Sequence, residues 1–231
     1  MTSYRIETKR CPYCDQINLL LKPVSGNTFG AQAYTDGCVI GPMHDSGSAL
    51  MTCTRCGRHQ WREDLPTLKS MSEQEYRSFR DRTPKSYLSH ITDQYEEDNG
   101  ADEFIFFNGP QMFFTHHYEN ALHEELWKNE AQEKYIRIRA WWHFNNSYRE
   151  KTTKEFILTP QQEANLLKLL QLLNTDIPEP SIMKAEVFRE LGQFDECLKQ
   201  LDQPFEIRYL PAVNAIKNLA NCKKRHVGAI A

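Results

Sequence analysis

The sequence predicts an α+β protein, with its β structure at the front and its helices behind. Three observations carry this. Two Cys-x-x-Cys pairs, Cys11/Cys14 and Cys53/Cys56, sit among short β signals in the first 65 residues. From Gln111 to Leu158 there is neither proline nor glycine, and apolar residues recur near helical spacing. Thr159-Pro160-Gln161-Gln162 then opens a leucine-rich run with the signature of a helix start.

Residues 1–65 read as one small β module. Phe29 to Tyr34 alternates loosely, Asp36-Gly37 offers a two-residue hairpin turn, and Cys38-Val39-Ile40 resumes the strand. The only helical spacing is a short run at Asn18–Lys22. Residues 66–111 read as a connector with one helix, for which Ser70-x-x-Glu73 and Ser72-x-x-Glu75 are capping-box candidates and Thr83-Pro84 the end. Asp93 to Glu103 holds six acids and no base, which marks a solvated loop. Phe104–Phe107 is a short buried segment turned by Asn108-Gly109-Pro110. Residues 112–231 read as helices. A break is expected near Lys128–Glu130, because an unbroken run would be too long for a small domain. Thr159 caps the next helix and Pro178 bounds it. Two more helices straddle Gly192, and a last runs from about Glu206 to His226.

The chain has 231 residues, enough for one large or two small domains. Its 28 Lys+Arg nearly balance 31 Asp+Glu, which argues against a globally basic nucleic-acid binder but not against a local basic face. Hydrophobic residues at 40% and charged residues at 26% fit a folded chain. No apolar run is long enough to predict a membrane span, and Met1–Arg5 lacks the apolar stretch of a secretory signal. Seven cysteines, an odd number, then predict a reducing, cytoplasmic setting with thiolates used for metal.

Cys11-Pro12-Tyr13-Cys14 and Cys53-Thr54-Arg55-Cys56-Gly57 are the sharpest signal. Each Cys-x-x-Cys turn presents two thiolates to one side of an ion, and two turns complete the tetrahedron that Zn2+ prefers. Gly57 suits the positive-φ end of such a knuckle. The 38 residues between the pairs read as a β-hairpin excursion. Over about residues 9–62 this pattern resembles the zinc-ribbon family. The resemblance implies one structural Zn2+ on Cys11, Cys14, Cys53 and Cys56, with no open position for catalysis. Cys38, His44 and His59 are spare donors nearby; the expected reading packs Cys38 on a strand and leaves the histidines solvated, with His59 replacing one thiolate as the alternative. A rival reading is a dithiol redox site. Cys-Pro-Tyr-Cys resembles the glutaredoxin active-site motif, and a helix over Asp15–Lys22 would lower the Cys11 pKa. Residues 15–65 lack the length and the proline turn of that family and add a second Cys-x-x-Cys.

Residues 181–204 resemble one tetratricopeptide repeat. Ala185 and Cys197 take the small positions, Phe188, Phe194 and Leu201 the large ones, Gly192 the break and Pro204 the end. Ser181 and Lys184 depart from the pattern, and a solenoid normally needs about three repeats. A plain helical bundle is the alternative. Repeats of this kind bind a peptide or partner helix on a concave face. In Arg137–Asn146, Arg137, Arg139, Trp141 and Trp142 are binding candidates, since bases stack on Trp and Arg grips phosphate; core packing is the competing use. Lys223-Lys224-Arg225-His226 is a small basic end. His116, His123 and Glu124 lack zincin spacing, and no catalytic signature is present.

The two resemblances together describe bacterial proteins that join a zinc ribbon to a tetratricopeptide-like domain. The expected function is a non-catalytic, zinc-binding adaptor that holds a protein partner. The alternatives are a nucleic-acid-binding zinc-ribbon protein of the transcription or RNA machinery, using Lys9, Arg10, Arg55, Arg58 and Arg62, and a thiol oxidoreductase at Cys11–Cys14.

Overall fold

The computed structural model describes residues 3–26, 29–41, 48–72, 74–76, 78, 115–150, 152, 155–173 and 177–230. It is an α+β fold built of small antiparallel sheets and helices. The chain forms two compact units, and they interleave along the sequence. One comprises Met1–Phe29 and Met43–His117, the other Gly30–Pro42 and Tyr118–Ala231.

In the first unit, β1 (Ser3–Arg10) is the centre of a three-stranded sheet between β2 (Ile17–Ser25) and β7 (Thr67–Ser72). Both pairings are antiparallel, with Ile6 opposite Leu21 on one side and Met71 on the other. Period-two alternation sorts the side chains. Ile6, Met71 and Tyr76 form one apolar cluster, against which Leu19 and Leu21 pack. Leu20 points the other way, to Met51 and Leu65. Asn18–Lys22 therefore belongs to a strand, not to a helical run, because both faces of β2 find apolar partners. Lys9 is buried on this second face, where Nζ donates to Leu65 O at 2.7 Å and Thr67 Oγ1 at 3.1 Å. Arg62 is tied inward to the carbonyls of Ser48 and Leu21. Strands β5 (Leu50–Thr52) and β6 (His59–Trp61) make a second small hairpin. Ser72 and Glu75 form the expected capping box, side chain to backbone in both directions. The acidic stretch 93–103 and the segment Phe104–Phe107 lie outside the described residues.

In the second unit the helices are α1 (Thr115–His123, whose first residues belong to the first unit), α2 (Glu130–Arg149), α3 (Pro160–Leu172), α4 (Pro178–Glu190), α5 (Phe194–Gln200) and α6 (Leu210–Asn221). The break before Glu130 falls where expected, because the Asn129 side chain accepts the Gln132 N–H and caps α2. Thr159 and Gln162 form a complete capping box with Pro160 in the first turn. Helices α4 and α5 make a hairpin turned at Gly192, whose φ of +80° favours glycine. Ala185, Cys197 and Leu201 meet Val213, Ile216 and Ala220 of α6 in one core, with Phe188 and Phe194 against it.

The hairpin of β3 (Gln32–Ala33) and β4 (Val39–Ile40) turns at Asp36-Gly37 as the sequence predicts, but through a three-residue loop, Thr35–Gly37, and not a two-residue one, since Tyr34 N donates to Cys38 O and Gly37 N to Tyr34 O, both at 2.9 Å. It belongs to the helical unit, although it lies between the two Cys pairs in sequence. The chain's C-terminal segment pairs with it: Thr35 N donates to Gly228 O and Ile230 N to Ala33 O, both at 2.9 Å.

A buried ionic cluster fixes the hairpin to the helices. Asp36 is fully buried and pairs with Arg149. The same carboxylate oxygen, Oδ2, also accepts from Asn145 Nδ2 at 3.0 Å, and the backbone carbonyl accepts from Trp142 Nε1 at 2.9 Å. Thr35 donates to Glu186, which pairs with Arg189 one turn on. Glu190 accepts from Trp141 Nε1 at 2.7 Å and Asn145 Nδ2 at 2.9 Å. Three carboxylates thus face two guanidinium groups without contact with solvent. Burial, reinforced by the charges of Glu186 and Asp36, pushes the Glu190 carboxyl well above its ordinary value despite Arg189. Burial also raises Asp36, against the pull of Arg149.

A proton held in the folded state and released in the unfolded chain stabilises the fold at low pH. This contribution is complete below the ordinary carboxyl value of 4.5 and declines as pH rises toward the elevated pKa of Glu190. Glu190→Gln is expected to flatten that decline. Denaturant midpoints at about pH 5 and about pH 8 test it, and an equal fall in the variant and the natural chain contradicts it.

Candidate metal centre

The first unit brings the four knuckle cysteines together. Their sulfurs all lie within 4.8 Å of one another. Cys11 Sγ is 3.7 Å from Cys56 Sγ, and Cys14 Sγ is 3.6 Å from Cys53 Sγ. A tetrahedron with metal–sulfur bonds of about 2.3 Å has edges of about 3.8 Å, so the two cross-knuckle distances fit one ion.

The knuckles share one backbone design. Cys11 N donates to Gln16 O at 2.8 Å, and Asp15 N returns to Cys11 O at 3.0 Å. In the second knuckle Cys53 N donates to Arg58 O at 3.0 Å, and Gly57 N returns to Cys53 O at 2.9 Å. The residue after each second cysteine takes positive φ, +60° at Asp15 and +69° at Gly57. Asp tolerates this left-handed conformation better than most residues, which is why the first knuckle closes without glycine. Each knuckle links two strands, β1 to β2 and β5 to β6, so strand pairing sets the spacing of the sulfurs.

The four sulfurs differ in environment. Cys11 and Cys53 are buried, Cys14 is half-buried and Cys56 is exposed. Burial acts to raise the Cys11 thiol, but hydrogen bonds from the Tyr13 backbone, the Gln60 side chain and the Cys14 backbone outweigh it and lower it to about 6. Partial desolvation and the neighbouring thiols push Cys56 up to about 12. Gln60 Nε2 reaches Cys11 Sγ at 3.2 Å, and Asn18 Nδ2 reaches Cys53 Sγ at 3.8 Å. The sequence reading missed Asn18 and Gln60. Their signal is an internal repetition: in CPYCDQIN (11–18) and CTRCGRHQ (53–60), a carboxamide residue follows the second cysteine by four positions.

The other sequence candidates have other placements. His59 is buried and its Nδ1 shares a 2.9 Å hydrogen bond with Thr52 Oγ1, across the β5–β6 pair. Cys38 belongs to the helical unit, where burial pushes its thiol up to about 11. His44 lies outside the described residues. The helix that a glutaredoxin-like site needs after Cys14 is absent, since Ile17–Ser25 is a strand. Arg137 is held by Glu133 at 2.8 Å and also reaches Asn165. Arg139 lies over the rings of Tyr135 and Trp142, Trp141 is buried, and both indole N–H groups have partners within the unit. Arg225 donates to Glu190 O and covers the Phe156 ring.

Fold and site together define an α+β chain with a four-cysteine site able to hold one metal ion. No family model, curated protein or solved structure matches the chain. Among the described residues, no helix is long and apolar enough to cross a membrane.

Proposed function

We propose that the chain is a zinc-stabilised, non-catalytic adaptor whose helical unit holds a protein partner. The supporting observation is the closed set of four sulfurs, two of them buried, which fills a tetrahedral shell and leaves no position for substrate. Four thiolates at these distances favour Zn2+ over hard, oxygen-seeking ions. The α4–α5 hairpin, with small Ala185 and Cys197 buried between large neighbours, supports a tetratricopeptide-like reading of that segment. Tyr209 donates to Glu179, joining the starts of α6 and α4, and Ile177, Ile207 and Leu210 near these starts are exposed at 52%, 85% and 39%. Exposed apolar residues grouped in this way suit a partner surface.

Metal analysis with thiol titration tests the reading. One zinc per chain is expected. In the native protein only Cys222 should react rapidly outside the metal site, because Cys38 and Cys197 are buried. A metal-free native protein that cycles a Cys11–Cys14 disulfide overturns it.

A second reading, nucleic-acid binding at the knuckle tips, is favoured by one observation. Tyr13 is 60% exposed and Arg58 stacks 4.3 Å from its ring centroid, an aromatic–cation pair suited to a base and a phosphate. The inward use of Lys9 and Arg62 leaves this surface few cations. Binding to single-stranded nucleic acid should then weaken as salt rises; binding that is flat across salt, or none at low salt, removes the reading.

A further inference from the structure

The two carboxamides beside the sulfurs follow a rule. Asn18 stands four residues after Cys14, and Gln60 four after Cys56. Each side chain crosses to the opposite knuckle. Asn18 points its N–H at Cys53, and Gln60 points its N–H at Cys11. Both targets are the first cysteine of a knuckle, and both are the buried ones. The arrangement repeats itself under exchange of the two knuckles.

We infer that Asn18 and Gln60 are paired positioning residues of the metal centre, and that they leave Cys14 and Cys56 as its open edge. The inference rests on the metal reading of the four cysteines. Its support is geometric. Gln60 is buried, and its Oε1 has no hydrogen-bond partner. A buried amide with an unsatisfied carbonyl is costly. Here its N–H meets a sulfur, and the thiolate selects the orientation that turns nitrogen toward it. Asn18 is also buried, and its other end is fixed because Oδ1 accepts from Thr54 N at 2.9 Å and Thr54 Oγ1 at 3.1 Å. Thr54 sits inside the second knuckle, so Asn18 ties the first knuckle's strand to the second knuckle's backbone and sulfur together. An N–H directed at a thiolate spreads its charge and holds its position. The inner sulfurs therefore become the fixed, less nucleophilic pair. Cys14 and Cys56 have the solvent contact through which an ion enters or an electrophile attacks.

The test uses the full chain with Co2+ and Zn2+ and the variants Gln60→Met and Asn18→Leu, which keep approximate side-chain size and remove the donor. Each variant is expected to lose about 10–100-fold in Zn2+ affinity by chelator competition, the range for groups that orient metal ligands. The sulfur-to-cobalt charge-transfer band should move to lower energy, which a purely structural role does not require. N-ethylmaleimide on the zinc-loaded natural chain, followed by peptide mass mapping, should label Cys222 and then, among the four metal-site cysteines, Cys56 first, Cys14 next, and Cys11 and Cys53 last. If Asn18→Leu fails to fold, judged by circular dichroism, Gln60→Met alone decides. Unchanged affinity and band position in a folded variant overturn the inference while the metal reading stands, as does first labelling at Cys11 or Cys53. A natural chain that takes up neither ion overturns both.

Discussion

Asp36→Ala should destabilise the helical unit by about 3–5 kcal/mol, the cost of removing one partner from a buried ion pair. Side-chain exposure is 2% for Arg149 and 0% for Asp36, so water cannot solvate the guanidinium left behind. The substitution also removes the acceptor of the Asn145 amide and of the Cys38 N–H. Ordinary domains have about 5–15 kcal/mol in total, so this loss should be visible directly in a urea titration of the full chain. The fluorescence of Trp141 and Trp142 reports it, since both indoles bond to this cluster. Ile40→Ser, in the same hairpin but exposed, is the control and should shift stability by no more than about 0.5 kcal/mol. Equal effects of the two substitutions would mean that the hairpin matters only as apolar cover.

Cys53→Ser should abolish metal retention and with it the order of the first unit. Among the described residues that unit has two small apolar clusters, Ile6/Met71/Tyr76 and Leu20/Met51/Leu65. Such cores are marginal alone, whereas zinc contributes about 10–16 kcal/mol of apparent folding free energy in small finger domains at pH 7. Excess chelator should reproduce the effect on the natural chain, and Cys222→Ser, an exposed cysteine outside the cluster, should leave metal content unchanged. Binding displaces thiol protons, so retention should fail as pH drops. This trend runs opposite to that of the Glu190 cluster, and the two units should separate in an acid titration. A Cys53→Ser chain with native-like spectra and full metal content would exclude the proposed site.

Much of the local structure could be read from residue order because it depends on neighbours a few positions away. The Thr159–Gln162 capping box, the break before Glu130, the Asp36-Gly37 turn and the paired knuckles are of this kind. Strand β2 could not be read so. Its three consecutive leucines lack alternation because Leu19 and Leu21 find partners on one face and Leu20 on the other. Strand β7 was equally silent, with only Met71 buried along it.

The sequence by itself determined which four cysteines come together and where the helical segments lie. Sulfur spacing, caps and helix breakers act through covalent geometry and nearest-neighbour hydrogen bonds, which the order of residues states directly. The tertiary structure alone decided three things: that residues 30–42 complete the helical unit, that Lys9 and Arg62 turn inward, and that Asn18 and Gln60 cross between knuckles. Each rests on contacts between groups 35 or more positions apart. Buried polar atoms must find partners wherever the folded chain brings them, and no local pattern records which distant atom that will be.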